Sequence, residues 1–263
     1  MLDKNSPFAV TGRPKREENL SSLARLLIGN AIVDCDLAPG TLTSEVDLAA
    51  RFALGLAATR SALARLASAG WIAAEGRKGW RVLPMSGEHL ADLQASRACL
   101  EPVLIGQVPP APLRADLRQR AALYRANLPG LGTAARFHQE RELLALCAGV
   151  MAGPRLRGWL MDTWDLSMRA DRFIERSFGI DRPALPLAHL AEALAEADGA
   201  RAGQQLGAMR EEFAARCARA LARSDAQIAA LPAASPPSAP VSPRAPLAEA
   251  AANKRTAQQG DQT

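Results

Sequence analysis

Gly130-Leu131-Gly132-Thr133-Ala134-Ala135 has the G-x-G-x-x-A spacing with which a turn brings backbone amides against a dinucleotide pyrophosphate. That chemistry needs a strand ahead of the turn, whereas a helical stretch and Pro129 precede it, so the spacing carries no dinucleotide site. The sequence contains no G-x-x-x-x-G-K-[ST], H-E-x-x-H or G-x-S-x-G, and enzymatic chemistry has no positive support. Cys35, Cys99, Cys147 and Cys217 are scattered without a C-x-x-C pair, which leaves no zinc or redox seed and fits a reducing cytoplasm. The chemistry that remains belongs to charged side chains. Arg60, Arg77 and Lys78 can donate to phosphates or base edges. Arg97 has two readings, a bidentate partner for a ligand carboxylate or an ion pair with Glu101 one turn on. His138 and His189 stand between hydrogen-bonded core residues and ligands.

These side chains must be held by elements the sequence also marks. Leu20, Leu23, Leu27 and Ala31 recur at helical spacing from Asn19, and Pro39-Gly40 forces a turn after them. Ser44 with Asp47 is an N-cap pairing, and Val46, Leu48, Ala49 and Phe52 supply the apolar side of a short second helix. That capped helix start, rich in free amides, also suits a phosphate. A third helix runs from Leu56 to Ala69, with Leu63 and Leu66 inward and Gly70 as its stop. Trp71–Ala74 and Trp80–Leu83 read as strands joined by the glycine-bounded tip Glu75-Gly76-Arg77-Lys78-Gly79. Three helices and a basic hairpin over residues 19–85 make a winged helix-turn-helix. It places Arg51, Thr59, Arg60 and Ser61 on two helices and Arg77 and Lys78 at the tip of the wing.

Residues 86–222 read as helix throughout, with segments His89–Val108, Pro112–Leu128, Thr133–Ala148, Arg155–Ser177, Leu187–Ala197 and Ala200–Ala222. The fold class is therefore mainly α, an N-terminal winged helix-turn-helix followed by an all-helical antiparallel bundle of about six helices. Residues 1–18 read as a flexible arm, and the Ala/Pro-rich residues 223–263 as a disordered tail. The net charge is +5, and 11 basic against 8 acidic residues fall within positions 1–85, so most of the excess lies in the first 85 residues. The amino terminus lacks a secretory pattern, and no apolar run reaches the ~20 residues of a membrane helix. A soluble cytoplasmic protein is the expectation.

Leu37-Ala38-Pro39-Gly40, Leu48-Ala49, Arg60-Ser61-Ala62-Leu63 with Leu66 and Gly70, and Arg77-Lys78-Gly79 with Val82 together resemble the DNA-binding domain of GntR-type bacterial transcriptional regulators. Arg97-Ala98-Cys99-Leu100-Glu101, Phe137-His138 and His189 are similar to marks of the FadR-like branch and its helical FCD effector domain. The resemblance implies a homodimer on a double-stranded DNA operator, with contacts from Ser44, Arg51, Thr59, Arg60, Ser61, Arg77 and Lys78. It also implies a small acidic metabolite held by Arg97, His138 and His189, and one divalent metal ion (Zn, Ni or Mn) in a weakened site of His138, His189 and Glu212. Two departures stand out. Gly55-Leu56 replaces the usual Ser-Arg or Thr-Arg at the start of the recognition helix, and Ala134 replaces a metal-binding aspartate. Two other readings stay open: a metal-dependent enzyme built on the bundle, and a degenerate regulator acting as a protein-interaction module.

Overall fold

The computed structural model describes residues 15–151 and 153–224, with side chains described from residue 19. Helix α1 (Lys15–Val33) leads into strand β1 (Leu42–Thr43), α2 (Glu45–Arg51), α3 (Leu56–Ser68) and the strands β2 (Ile72–Ala74) and β3 (Trp80–Val82). The strands form one antiparallel sheet in the order β1-β3-β2, with Leu42 opposite Arg81 and Ile72 opposite Val82. The two-residue strand β1 is absent from the sequence reading, because pairing with β3 defines it rather than any alternation of its own. The wing tip is a turn of 3-10 helix over Gly76–Lys78 rather than a simple loop.

Helix α1 corrects the expected apolar stripe. Ala24, Ile28, Ala31 and Ile32 are buried, whereas Leu20 and Leu23 are exposed. Both sets satisfy helical spacing. Packing decides between them, since α1 lies against α3 and Gly29 comes close to the Trp71 ring, which rotates Ile28 and Ile32 into a core shared with Leu48, Leu63, Leu66 and Val82. The helix also begins at Lys15, inside the expected arm. Residues 1–14 of that arm and residues 225–263 of the expected tail lie outside the described residues.

Gly79 fixes the wing. Its φ of 107° lies where side-chain-bearing residues are strained, and a Cβ there would collide with the Thr43 carbonyl oxygen. Gly79→Ala should therefore destabilise the domain by at least ~1–3 kcal/mol, read as a lower Tm together with weaker DNA binding.

The second half consists of α4 (Gly87–Leu100), α5 (Pro102–Ile105), α6 (Ala111–Asn127), α7 (Thr133–Ala148), α8 (Pro154–Phe178), α9 (Leu187–Glu196) and α10 (Gly199–Arg223). The expected helix His89–Val108 is split at Pro102, which has no N–H to continue the ladder. Helix α9 is apolar at seven of its ten positions and packs on α6, α7 and α10. The described residues fall in one compact unit.

Helix α8 joins the two halves. Asp162, Asp165, Arg169 and Arg176 recur at spacings of three, four and seven, which puts them along one face. Asp162 accepts from Arg25 of α1 at 2.9 Å, and Asp165 accepts from Arg141 at 2.8 and 3.1 Å while Arg141 also donates to Asn30 at 2.9 Å. Arg169 donates to the Leu83 carbonyl, and Arg176 stands 3.5 Å from Asp36. The opposite face, with Leu160, Trp164, Met168 and Ile174, is buried.

Candidate nucleic-acid interface and bundle centre

Ser44 caps α2: its hydroxyl accepts the Asp47 N–H at 3.1 Å and lies 2.6 Å from the Asp47 carboxylate. Arg51 is exposed, lies 5.4 Å from the Phe52 ring centroid and reaches the Asp36 carbonyl at 3.4 Å. Arg60 projects from α3 with 69% of its side chain exposed, and Glu45 accepts from it at 2.9 and 3.0 Å. Its guanidinium pKa is raised by that hydrogen bond and by the carboxylate charge. Ser61 is half-buried. Arg77 and Lys78 are exposed at the wing tip, which Arg81 braces by a 2.5 Å ion pair to Glu75 and a 2.9 Å bond to the Gly40 carbonyl. Thr59 corrects the expected DNA set: it is fully buried and its hydroxyl donates to the Gly55 carbonyl at 3.1 Å, so it is a helix-packing residue.

The bundle centre is built from buried ions. Glu101 accepts from Arg97 at 2.7 Å, Trp164 at 2.9 Å and Arg210 at 2.7 Å. Glu140 accepts from Tyr124 at 2.9 Å, from the Leu185 amide at 3.0 Å and from Arg182 at 2.5 Å. Asp171 accepts from Arg182 and Arg216, each at 3.0 Å, and Arg216 also donates to the Asp181 carbonyl. Four guanidiniums thus meet three carboxylates, and Arg182 retains an Nη2 without a hydrogen-bond partner. The flanking carboxylates and their hydrogen bonds hold Arg182 above its ordinary pKa against the opposing effect of burial. Arg97, Leu144, Trp164, Asp171, Arg182 and Arg216 help line a cavity of about 20 Å³, room for roughly one water molecule.

The histidines stand elsewhere. His138 is 73% exposed and 3.4 Å from Glu142, and His189 is 55% exposed and 3.9 Å from Glu192. Glu212 borders the cavity and accepts from Arg219 at 3.2 Å. The expected metal ligands therefore do not converge, and among the described residues no group of three or more His, Cys, Asp or Glu is placed to hold a metal. Phe137 supplies one physical reason. It fills the interior with Glu140, Leu143, Leu144, Cys147 and Ala148, and His138, about 100° further around the helix, falls outside that stripe. Alanine at His138 or His189 should change stability by no more than ~0.5 kcal/mol, checked by denaturant melts.

Residues 22–82 match the family model described as bacterial regulatory proteins, gntR family. The amino-terminal domain is a GntR-type DNA-binding domain. A solved structure of E. coli McbR/YncC shares 16% identity with a TM-score of 0.63, covering 76% of this chain and 97% of that one. The crystal structure of a putative transcriptional regulator GntR from Rhodococcus sp. RHA1 shares 22% identity with a TM-score of 0.55, covering 80% of this chain and 99% of that one. At these identities both likenesses are of fold. A search of curated proteins gave no match. Arg60, Arg77 and Lys78 are exposed on the third helix and wing of this domain, and no described helix is long and apolar enough to cross a membrane.

Sequence reasoning missed Arg81, Arg182, Arg216, Glu140 and Asp171. Arg216 and Asp171 fall on the apolar faces of α10 and α8, a signal of paired burial, whereas Arg182 lies between helices where no periodicity marks it. His89, at the start of α4, is a further half-buried group at the junction. Burial, and then the Arg169 cation, push its imidazole down to about 4 from 6.5. The unfolded chain takes up that proton near its ordinary pKa, so the His89 contribution is complete above about 6.5 and is lost as pH falls towards about 4. Its slope is at most ~1.4 kcal/mol per pH unit. His89→Leu should flatten this stretch of the stability curve; an unchanged slope in pH-dependent melts would contradict the assignment.

Proposed function

We propose that the protein is a ligand-responsive transcriptional regulator that binds a palindromic operator as a homodimer. The observation that carries the DNA reading is the exposed set Arg60, Arg77 and Lys78 on the helix and wing of a GntR-type domain. Two copies reading half-sites about one helical turn apart give the two-fold operator. A mobility-shift assay of folded, full-length protein on its own promoter region, repeated as salt is varied, tests this. A sequence-selective complex near physiological salt is expected, weakening steeply as salt rises. Its absence would sink the reading.

For the effector, the buried Arg182 Nη2 without a hydrogen-bond partner supports a small carboxylate beside Arg97, Arg182 and Arg216. His138 and His189 take no part in this version of the site. Because the cavity of about 20 Å³ is too small for a metabolite, binding requires the helices around it to part. A ligand that fits only the opened arrangement favours that arrangement, which is the differential affinity that regulation needs. A panel of small mono-, di- and hydroxycarboxylates, screened by thermal shift and then by operator affinity, should yield a compound that raises Tm and changes DNA binding. If no compound changes either, the effector reading fails.

A further inference from the structure

We propose that Val46 and Leu56 form an apolar subsite for thymine C5-methyl groups in the major groove of the operator. The proposal rests on the DNA-binding reading above and adds the base class that the helix start recognises.

Val46 is 64% exposed and Leu56 is 49% exposed, two large aliphatic side chains in water near the starts of α2 and α3. Glu45, the chain neighbour of Val46, accepts from Arg60, which lies one turn on from Leu56 and on the same face of α3, so the bridge links the two helices beside both aliphatic residues. Gly55, the N-cap of α3, adds no side chain, and a Cβ there would have open space around it. Ala57 is exposed as well. The leading turn of α3 therefore presents no charge before Arg60, and Arg60 is itself drawn towards Glu45.

Among the four bases only thymine offers a methyl group in the major groove, while guanine offers two acceptors there. An aliphatic surface gains by covering the methyl. The neighbouring Glu45 carboxylate repels the guanine acceptors. Exposed Arg60, Arg77 and Lys78 on the same domain complement a phosphate backbone, and that charge favours duplex DNA over an apolar protein face as the occupant.

The test uses the full-length protein. Preferred sites are selected from a random duplex pool, and each enriched thymine is then replaced by deoxyuridine, which keeps the hydrogen-bonding edges and removes only the methyl. Each contacted methyl should cost about fourfold in affinity, the factor that ~0.8 kcal/mol for one buried methyl-sized group gives. Leu56→Ala or Val46→Ala should abolish that discrimination at the corresponding position, and Leu56→Arg should move preference there towards guanine. Both side chains are exposed, so the variants should fold. Selective binding with equal affinity for thymine and uracil at every enriched position, or discrimination unchanged in both alanine variants, would overturn the methyl subsite alone. No selective enrichment by folded protein would overturn the DNA-binding reading too and would leave the patch to a protein partner.

Discussion

Asp171→Ala should lower the stability of the whole protein by ~3–5 kcal/mol, because it leaves Arg182 and Arg216 buried with their shared carboxylate removed. The pair of arginines would lose two charge-assisted bonds at once. Arg216 would fall back on carbonyl acceptors, and Arg182 on Glu140 alone. Against a typical total stability of ~5–15 kcal/mol, that loss is enough to populate unfolded chain at physiological temperature. Denaturant unfolding of Asp171→Ala and Asp171→Asn measures it. The asparagine variant keeps an acceptor without the charge, so its loss should be the smaller of the two. A change below ~1 kcal/mol in the alanine variant would mean that water enters and replaces the carboxylate. Stability of this kind is not maximised by ionic burial, since apolar residues of similar volume often do as well.

The second large effect falls on the DNA face. Arg60→Ala should weaken binding to the preferred site by on the order of tenfold to a hundredfold while leaving nonspecific binding much less affected, the pattern of a base contact. Arg77→Ala with Lys78→Ala should instead weaken all sequences alike and reduce the salt slope by roughly one for each phosphate that is no longer neutralised. Affinities measured over a salt series on specific and random duplexes separate the two outcomes. Equal losses on both duplexes for Arg60→Ala would reassign it to the backbone. The Glu45 contact makes a further distinction possible. Removing that carboxylate frees the guanidinium, so Glu45→Gln should strengthen nonspecific binding even as Arg60→Ala weakens specific binding.

Much of the architecture was legible because its signals are local. Ser44 and Asp47 mark the start of α2, Pro39-Gly40 marks the turn before the sheet, and Gly70 with φ 75° ends the region of α3. The wing was legible from its glycines and the arginine and lysine between them. What failed depended on phase or on partners distant in sequence. The leucines of α1 fit one helical stripe and its buried residues fit another, and only contact with α3 and Trp71 selects between them. Thr59 lies beside Arg60, yet the two point to opposite environments, because successive helix positions are about 100° apart. His138 failed in the same way beside Phe137. Arg182 gave no pattern at all, since its place is set by Glu140 and Asp171 from other segments.

Helix α8 behaves mechanically as a shaft. Its 25 residues make a rod about 37 Å long. Ser167, Met168 and Asp171 border the cavity, and Asp162 and Arg169 grip the reader domain. A rigid rod cannot yield on one side and stay fixed on the other. Any guest that pushes Met168 outward carries Arg169, its immediate neighbour, with it, and so tugs at the Leu83 carbonyl just beyond the wing. No relay of intermediate residues stands between the cavity and the Leu83 carbonyl, because one helix borders both.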